Sequence, residues 1–181
     1  LEYGTVVLYG DSATSGADLT NTTVPVITDE HQGVLDAQSA LDSMAVTAYI
    51  APGNIALDTT FLPGVYDVNG LLTVTAGVTL TLDAQGTDDD FIFNIDNYLT
   101  FGADVNVVVV NGTANTRVIW NATGGYVSIG ANANIVGTIL AKEYVSMGAN
   151  SSVTGVGECS GAVYSGASYV SIGAGAVIGG Q

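Results

Sequence analysis

Apolar and polar residues alternate in short bursts along this chain, and the bursts recur. "LLTVTAG" begins at Leu71, "YLTFGAD" at Tyr98, "YVSIGAN" at Tyr126, "YVSMGAN" at Tyr144 and "YVSIGAG" at Tyr169. Within each copy two apolar residues flank a small polar one: Val127 and Ile129 around Ser128, Val145 and Met147 around Ser146, Val170 and Ile172 around Ser171. A period of two predicts a strand with the apolar pair facing inward. Copies at intervals of about 18 to 28 residues mark a solenoid, in which each repeat is one coil stacked on the last. The glycine after each burst (Gly102, Gly130, Gly148, Gly173) predicts a corner. The small residues Ala131-Asn132-Ala133-Asn134 then predict a second short strand, and Ile135-Val136-Gly137 a third. Three strands per coil give a β-solenoid of roughly triangular section, with open sheet edges only at the two end coils.

One segment departs from this pattern. "DEHQGVLDAQSALDSMAVTA" (29–48) places Val34, Ala37, Leu41, Met44, Ala45 and Ala48 on one face at helical spacing. Thr28 is a suitable N-cap, Asp29 and Glu30 suit the positive end of a helix, and Ala51-Pro52-Gly53 would end it. The expectation is a helix over about 29–49, lying along the solenoid wall of one domain spanning 1–181. "GECSGAVYSG" (157–166) lengthens the last coil and carries no assignable role.

Charge removes several functions. The chain has 17 acidic residues against 2 basic ones, Arg117 and Lys142, for a net charge of −15. No basic patch can form, which excludes nucleic acid as a partner and disfavours anionic lipid. The same charge opposes self-association, so a monomer is expected, and it would suit a salty medium. No apolar run is long enough for membrane insertion. The start, "LEYGTVV", has neither the basic nor the apolar region of a signal peptide. Cys159 is the single cysteine, so no internal disulfide exists. Asn-x-Ser/Thr sequons begin at Asn21, Asn111, Asn121 and Asn150, as an Asn/Ser/Thr-rich chain produces by chance.

Candidate chemistry is sparse. His31 is the single histidine, placed at a helix start where a cation is not favoured, and no nucleophile motif accompanies it. One histidine and one cysteine do not make a structural zinc site. Asp88-Asp89-Asp90 is the densest carboxylate cluster, but it lacks the ordered D-x-D-x-D-G spacing of a calcium loop and reads as a solvated turn. No metal and no cofactor are expected. A β-solenoid lyase would need a base beside acids, with only Arg117 and Lys142 available, and a hydrolase would need a carboxylate pair across a groove.

Stacked coils also place equivalent residues in columns. One outward column is Thr73, Thr100, Ser128, Ser146, Ser171; another is Thr79, Asn106, Asn134, Ser152, ending in Val177. Neighbours in a column are separated by the strand spacing, about 4.8 Å. Short, uncharged hydrogen-bonding groups at that interval could order a layer of water. On residue types alone, they could equally do no more than solvate a wall.

A set of motifs favours the first reading. "PGVY", "LTLDAQG" followed by "FIF", "VNG" before "RVIW", and "GTILA" run from about Leu62 to the C-terminus. Together they closely resemble the ice-binding protein family of bacteria, fungi and algae. The resemblance implies a mainly β fold: a right-handed, discontinuous β-solenoid of triangular section with a long helix alongside. It also implies a secreted, non-enzymatic antifreeze protein, its signal peptide removed, that adsorbs to the ordered water of an ice surface. Some family members carry a Thr-Ala/Gly-x-Thr/Asn motif after the glycine corner. In this chain its first position is Ala76, Ala103, Ala131 and Ala149, and its fourth is Thr79, Asn106, Asn134 and Ser152. Those eight residues are the expected ice-binding set, with the column Thr73, Thr100, Ser128, Ser146, Ser171 as the alternative. The rival functions are an adhesion or matrix module of the same fold and a carbohydrate-active β-helix enzyme.

Overall fold

A computed structural model describes residues 26–157 and 161–179, with side chains from residue 32 onward. One helix, α1 (Val26–Asp42), precedes the strands. The first coil contributes β1 (Ala48–Tyr49), β2 (Gly53–Ile55) and β3 (Thr59–Phe61), and the second β4 (Gly64–Val68), β5 (Leu72–Val74) and β6 (Thr79–Asp83). The third holds β7 (Phe91–Ile95), β8 (Leu99–Phe101) and β9 (Asn106–Val110), and the fourth β10 (Val118–Ala122), β11 (Val127–Ile129) and β12 (Asn134–Val136). The fifth holds β13 (Thr138–Ala141), β14 (Val145–Met147) and β15 (Ser152–Thr154), and the sixth β16 (Ala162–Ser165), β17 (Val170–Ile172) and β18 (Val177–Ile178).

Each coil gives one strand to each of three parallel six-stranded sheets. The first sheet runs β1-β4-β7-β10-β13-β16, the second β2-β5-β8-β11-β14-β17, and the third β3-β6-β9-β12-β15-β18. Among the described residues strand order follows the chain in every sheet. The break in stacking that the resemblance implies does not fall among them. The fold is therefore the mainly β solenoid with one helix that the alternation and the family motifs predict.

Inward side chains stack from coil to coil along the interior. Leu72, Leu99, Val127 and Val145 form one such row, fully buried, in register along the second sheet. An aromatic spine fills the first sheet's inner side: Tyr66 stacks on Phe93 with centroids 5.0 Å apart, and Phe93 on Trp120 at 4.2 Å. Trp120 is completely buried and donates its indole N–H to Val136 O at 3.0 Å. The buried polar edge of this large ring is thus satisfied.

The corners between second and third sheets differ from the expectation in two ways. First, Ala131, Asn132 and Ala133 form the turn itself, one strand (Asn134–Val136) replaces the expected second and third, and the next strand begins only at Thr138, after Gly137. Second, the corner glycines are required by contact and not by dihedral angle. A Cβ on Gly102 would lie 2.5 Å from Ala76 N, and one on Gly148 2.5 Å from Ala131 N, in both cases backbone of the preceding coil. The left-handed conformation sits two residues later, at Asp104 (φ 59°), Asn132 (φ 57°) and Asn150 (φ 57°). Asn and Asp tolerate that region better than other side chains.

The helix is shorter than the expected 29–49 and starts earlier. It begins at Val26, right after Pro25 in sequence, so Thr28 lies inside its first turn and is not the N-cap. It ends at Asp42, where Ser43 Oγ donates to Ala40 O at 2.8 Å and Met44 N closes a tighter turn on Leu41 O at 3.2 Å. Thr47 then joins the first sheet: its N–H donates to Val65 O at 2.7 Å, and its Oγ1 accepts from Val65 N at 3.1 Å. Pairing with the sheet overrides the helical spacing of Met44, Ala45 and Ala48. The face of α1 turned to the sheet carries buried Val34 and Gln38 with half-buried Leu35 and Leu41, while Ala37 is exposed.

Candidate functional site

The helix decides which walls are free. Its contacts fall on β7, β10 and β16 of the first sheet. A polar network fastens it there. Asn121 Nδ2 donates to Gln38 O at 3.1 Å and to Asn94 Oδ1 at 2.9 Å, and Asn94 Nδ2 donates to Leu41 O at 2.9 Å. Gln38 Nε2 returns a bond to Ala122 O at 3.0 Å. Two asparagines that are neighbours in the sheet ladder thus hold carbonyls near the C-terminal end of the helix. Asn121 Oδ1 is left buried without a partner among the described residues. Both asparagines lie outside the repeated phrase, which does not single them out; the only sequence signal for a covering element is an amide among Ile and Val in "FIFNI" and "VIWNA".

Among the described residues the second and third sheets carry no covering helix. The outward column of the second sheet is Thr73, Thr100, Ser128, Ser146 and Ser171, all paired in register, with Asn54 opposite Thr73 as a sixth member. Strands in this sheet are three residues long, so each presents a single outward side chain.

The third sheet is wider. Its first outward rank is the expected column: Thr79 opposite Asn106, Asn106 opposite Asn134, Asn134 opposite Ser152, and Ser152 opposite Val177. A second rank, not anticipated, lies two residues further along in the first five coils. Thr60 stands opposite Thr81, Thr81 opposite Val108, and Val136 opposite Thr154. At about 3.3 Å per residue the ranks are about 6.6 Å apart. The signal was present in the alternation of "TLTLD", "NVVVV", "NIV" and "SVT", but the repeated phrase stops before these residues. Ala76, Ala103, Ala131 and Ala149 lie at the corner between the second and third sheets, as the border of this face and not on a strand.

Short hydrogen bonds order the first rank. Ser152 Oγ donates to Asn134 Oδ1 at 2.9 Å, and Asp58 Oδ1 accepts from Thr79 N at 2.8 Å. At the corner, Asn132 Nδ2 donates to Asp104 Oδ1 at 3.0 Å. From the second coil onward both ranks are free of charge; in the first coil Asp58, one residue before β3, stands beside Thr79. Asp67 lies on β4 and Asp83 ends β6; the other described carboxylates lie on the helix, at corners and in turns. Asp83 marks the far border, where hydrogen bonds from Asn111 Nδ2 and from its own turn at Gln85 N hold its carboxyl below the usual range.

The Asp88-Asp89-Asp90 turn is taken up by neighbours. Asp88 accepts from Thr113 Oγ1 at 2.5 Å and from Asn115 Nδ2 at 3.2 Å, which lowers its pKa. Asp90 receives both Nε and Nη2 of Arg117, at 3.0 and 2.5 Å. His31 has no described side chain, and Cys159 lies outside the described residues. A shallow cleft of about 110 Å³ opens beside Arg117, Gly137 and Val156, at the corner of the third and first sheets, away from both outward faces. Among the described residues no helix is long and apolar enough to cross a membrane.

Comparisons with known proteins agree with this architecture. A family model described as Ice-binding-like matches residues 3–178. An ice-binding protein from Flammulina populicola is 31% identical over 137 residues, 74% of this chain and 49% of that protein. The chain therefore spans about half the length of this curated relative. Among solved structures, the domain of Shewanella frigidimarina ice-binding protein 1 superposes with a TM-score of 0.70 at 26% identity, covering 87% of this chain and 67% of that one. The ice-binding protein of the Antarctic ascomycete Antarctomyces psychrotrophicus gives a TM-score of 0.68 at 19% identity, over 86% of this chain and 71% of its own, a likeness of fold.

Proposed function

Since this chain belongs to the Ice-binding-like family, we propose that it adsorbs to ice through the outward face of its third sheet. The observation that carries the reading is the two-rank, uncharged array Thr79, Asn106, Asn134, Ser152 and Thr60, Thr81, Val108, Val136, Thr154. Adsorption to ice requires groups that fit a regular layer of water without gripping it as ions do. Hydroxyls and amides at the strand spacing offer donors and acceptors at a fixed period, and methyls between them leave water to bond with water. Thr and Val are stiff at χ1, so the array loses little side-chain freedom on adsorption. Asp58 and Asp83 border the face, and the acidic side chains on the other parts of the molecule keep those parts hydrated.

The mechanism is then physical and not chemical. A bound solenoid pins the ice front, the front bulges between pinned points, and growth slows or stops. No catalytic group, cofactor or metal takes part, and the protein acts as a monomer outside the cell, where it meets ice. A second reading rests on one observation: the hydroxyl column of the second sheet, Thr73 to Ser171, is in unbroken register. It would make that narrower wall the ice face.

The test is growth of a single ice crystal in solutions of the protein. Facet shaping, a gap between melting and growth temperatures, and slowed recrystallisation are expected. Free growth equal to that in a globular protein of similar charge would remove ice as the partner and favour the adhesion module. Turnover of a polysaccharide would replace both readings with an enzyme.

A further inference from the structure

Tyrosine opens four of the five repeated phrases, yet it has no part in the proposed ice face. Tyr98, Tyr126, Tyr144 and Tyr169 each stand one residue before β8, β11, β14 and β17, at the corner leading into the second sheet. Their rings form a continuous ladder. Centroids are 5.0, 4.9 and 5.3 Å apart, with interplanar angles of 1°, 7° and 10°. Tyr98, Tyr126 and Tyr144 are half-buried and Tyr169, on the last coil, is 52% exposed. Because each ring covers the next, no flat ligand can stack between them. With their faces paired and the residues still partly exposed, these rings leave their edges as the surface open to water.

Parallel phenol edges held at the strand spacing are arranged for one reaction in particular. We propose that this ladder is a site of covalent tyrosine–tyrosine coupling between neighbouring coils under a one-electron oxidant, such as a peroxidase intermediate or a photo-oxidant. Two adjacent phenols each give one electron to the oxidant and one proton to water, leaving two phenoxyl radicals. Their unpaired electrons combine at ring carbons ortho to oxygen, forming one C–C bond. The hydrogens on those carbons then move to the oxygens through solvent and restore both phenols. The net change is loss of two electrons and two protons.

The register of the sheet supplies the proximity that free tyrosine lacks, so coupling within one chain outruns coupling between chains. Chains of net charge −15 also repel one another. The bond would fasten one coil to the next and restrict the unfolded chain as a disulfide does. The greatest effect falls on the sixth coil, whose Ile172 and Val177 are 43% and 55% exposed and whose strands have no further neighbour among the described residues.

The experiment uses the full chain, dilute, with a ruthenium(II) polypyridyl photo-oxidant and persulfate as electron sink. Expected are blue dityrosine fluorescence, a monomer lighter by two hydrogens per link, and peptides joined through 98–126, 126–144 or 144–169. The melting temperature should rise by several degrees. In the double variant Tyr126→Phe, Tyr144→Phe the rings still stack but no adjacent phenols remain, and fluorescence should fall by about an order of magnitude. Tyr49, 77% exposed and outside the ladder, serves as internal control. Fluorescence that survives the double variant, links found mainly in dimers through Tyr49, or no coupling at all would each overturn the proposal.

Discussion

Replacing Asn121 by Ala tests how the helix is held to the solenoid. The side chain is fully buried, and its Nδ2 donates at 3.1 Å to Gln38 O and at 2.9 Å to Asn94 Oδ1. Losing two such bonds costs about 1 kcal/mol each, and a partner left buried without a donor adds about 1–3 kcal/mol. Removing Asn121 Oδ1, itself without a partner, returns on the order of 1 kcal/mol. The expected net loss is about 2–4 kcal/mol, and for a chain of this length the melting temperature should drop by about 4–16 °C. Differential scanning calorimetry gives the size, and helical circular dichroism shows whether the helix detaches first. Asn121→Asp sharpens the test. It keeps the shape but points a carboxylate at two oxygens, so at neutral pH it should be worse than Ala and should recover in acid as the group protonates. A loss under about 0.5 kcal/mol for Ala, or an Asp variant as stable as wild type at neutral pH, would refute the account of the network.

Other substitutions probe different parts of the fold. Gly148→Ala puts a Cβ 2.5 Å from Ala131 N and 2.7 Å from Gly130 C, both backbone, so it should cost about 1–3 kcal/mol by chemical denaturation; an unchanged midpoint would show that the coils are not closely stacked there. Asp96 has its carboxyl pushed up, first by desolvation and then by Asp67 and Asp42. A raised carboxyl pKa makes the fold lose stability as pH rises through the acid range, from the unfolded value to the folded one. Asp96→Asn should therefore raise the melting temperature at pH 7 by about 1–2 °C, with the gain vanishing in strong acid and shrinking in high salt. A variant less stable than wild type at pH 7 would contradict this.

The solenoid was legible because its forces act at short range. Alternation placed Val127, Ile129 and Ile135 inward, and recurrence of the phrase put Thr79, Asn106, Asn134 and Ser152 in the same column that the strand pairing forms. The helix boundary was not legible. The apolar spacing over Met44 to Ala48 is consistent with helix, and only Val65, distant in sequence, draws Thr47 into a sheet. For the same reason nothing local singled out Asn94 and Asn121, whose partners Gln38 and Leu41 belong to a helix distant in sequence. The second rank of the third sheet escaped because Thr81, Val108 and Val136 lie beyond the repeated phrase. The tyrosine ladder was visible as recurrence, but recurrence alone does not say that rings stack.

The central claim is that the third sheet meets ice, and one paired substitution tests it most directly. Asn134 is exposed at mid-stack, and Ser128 holds the equivalent coil position on the second sheet. Asn134→Tyr and Ser128→Tyr each raise one bulky ring above a flat wall and should change folding stability by no more than about 0.5 kcal/mol. Growth-inhibition temperature gaps of both variants, measured against wild type at equal concentration, decide between the faces. The account predicts that Asn134→Tyr loses most of the gap while Ser128→Tyr keeps it. Loss in Ser128→Tyr with full activity in Asn134→Tyr would contradict it and move the ice face to the second sheet.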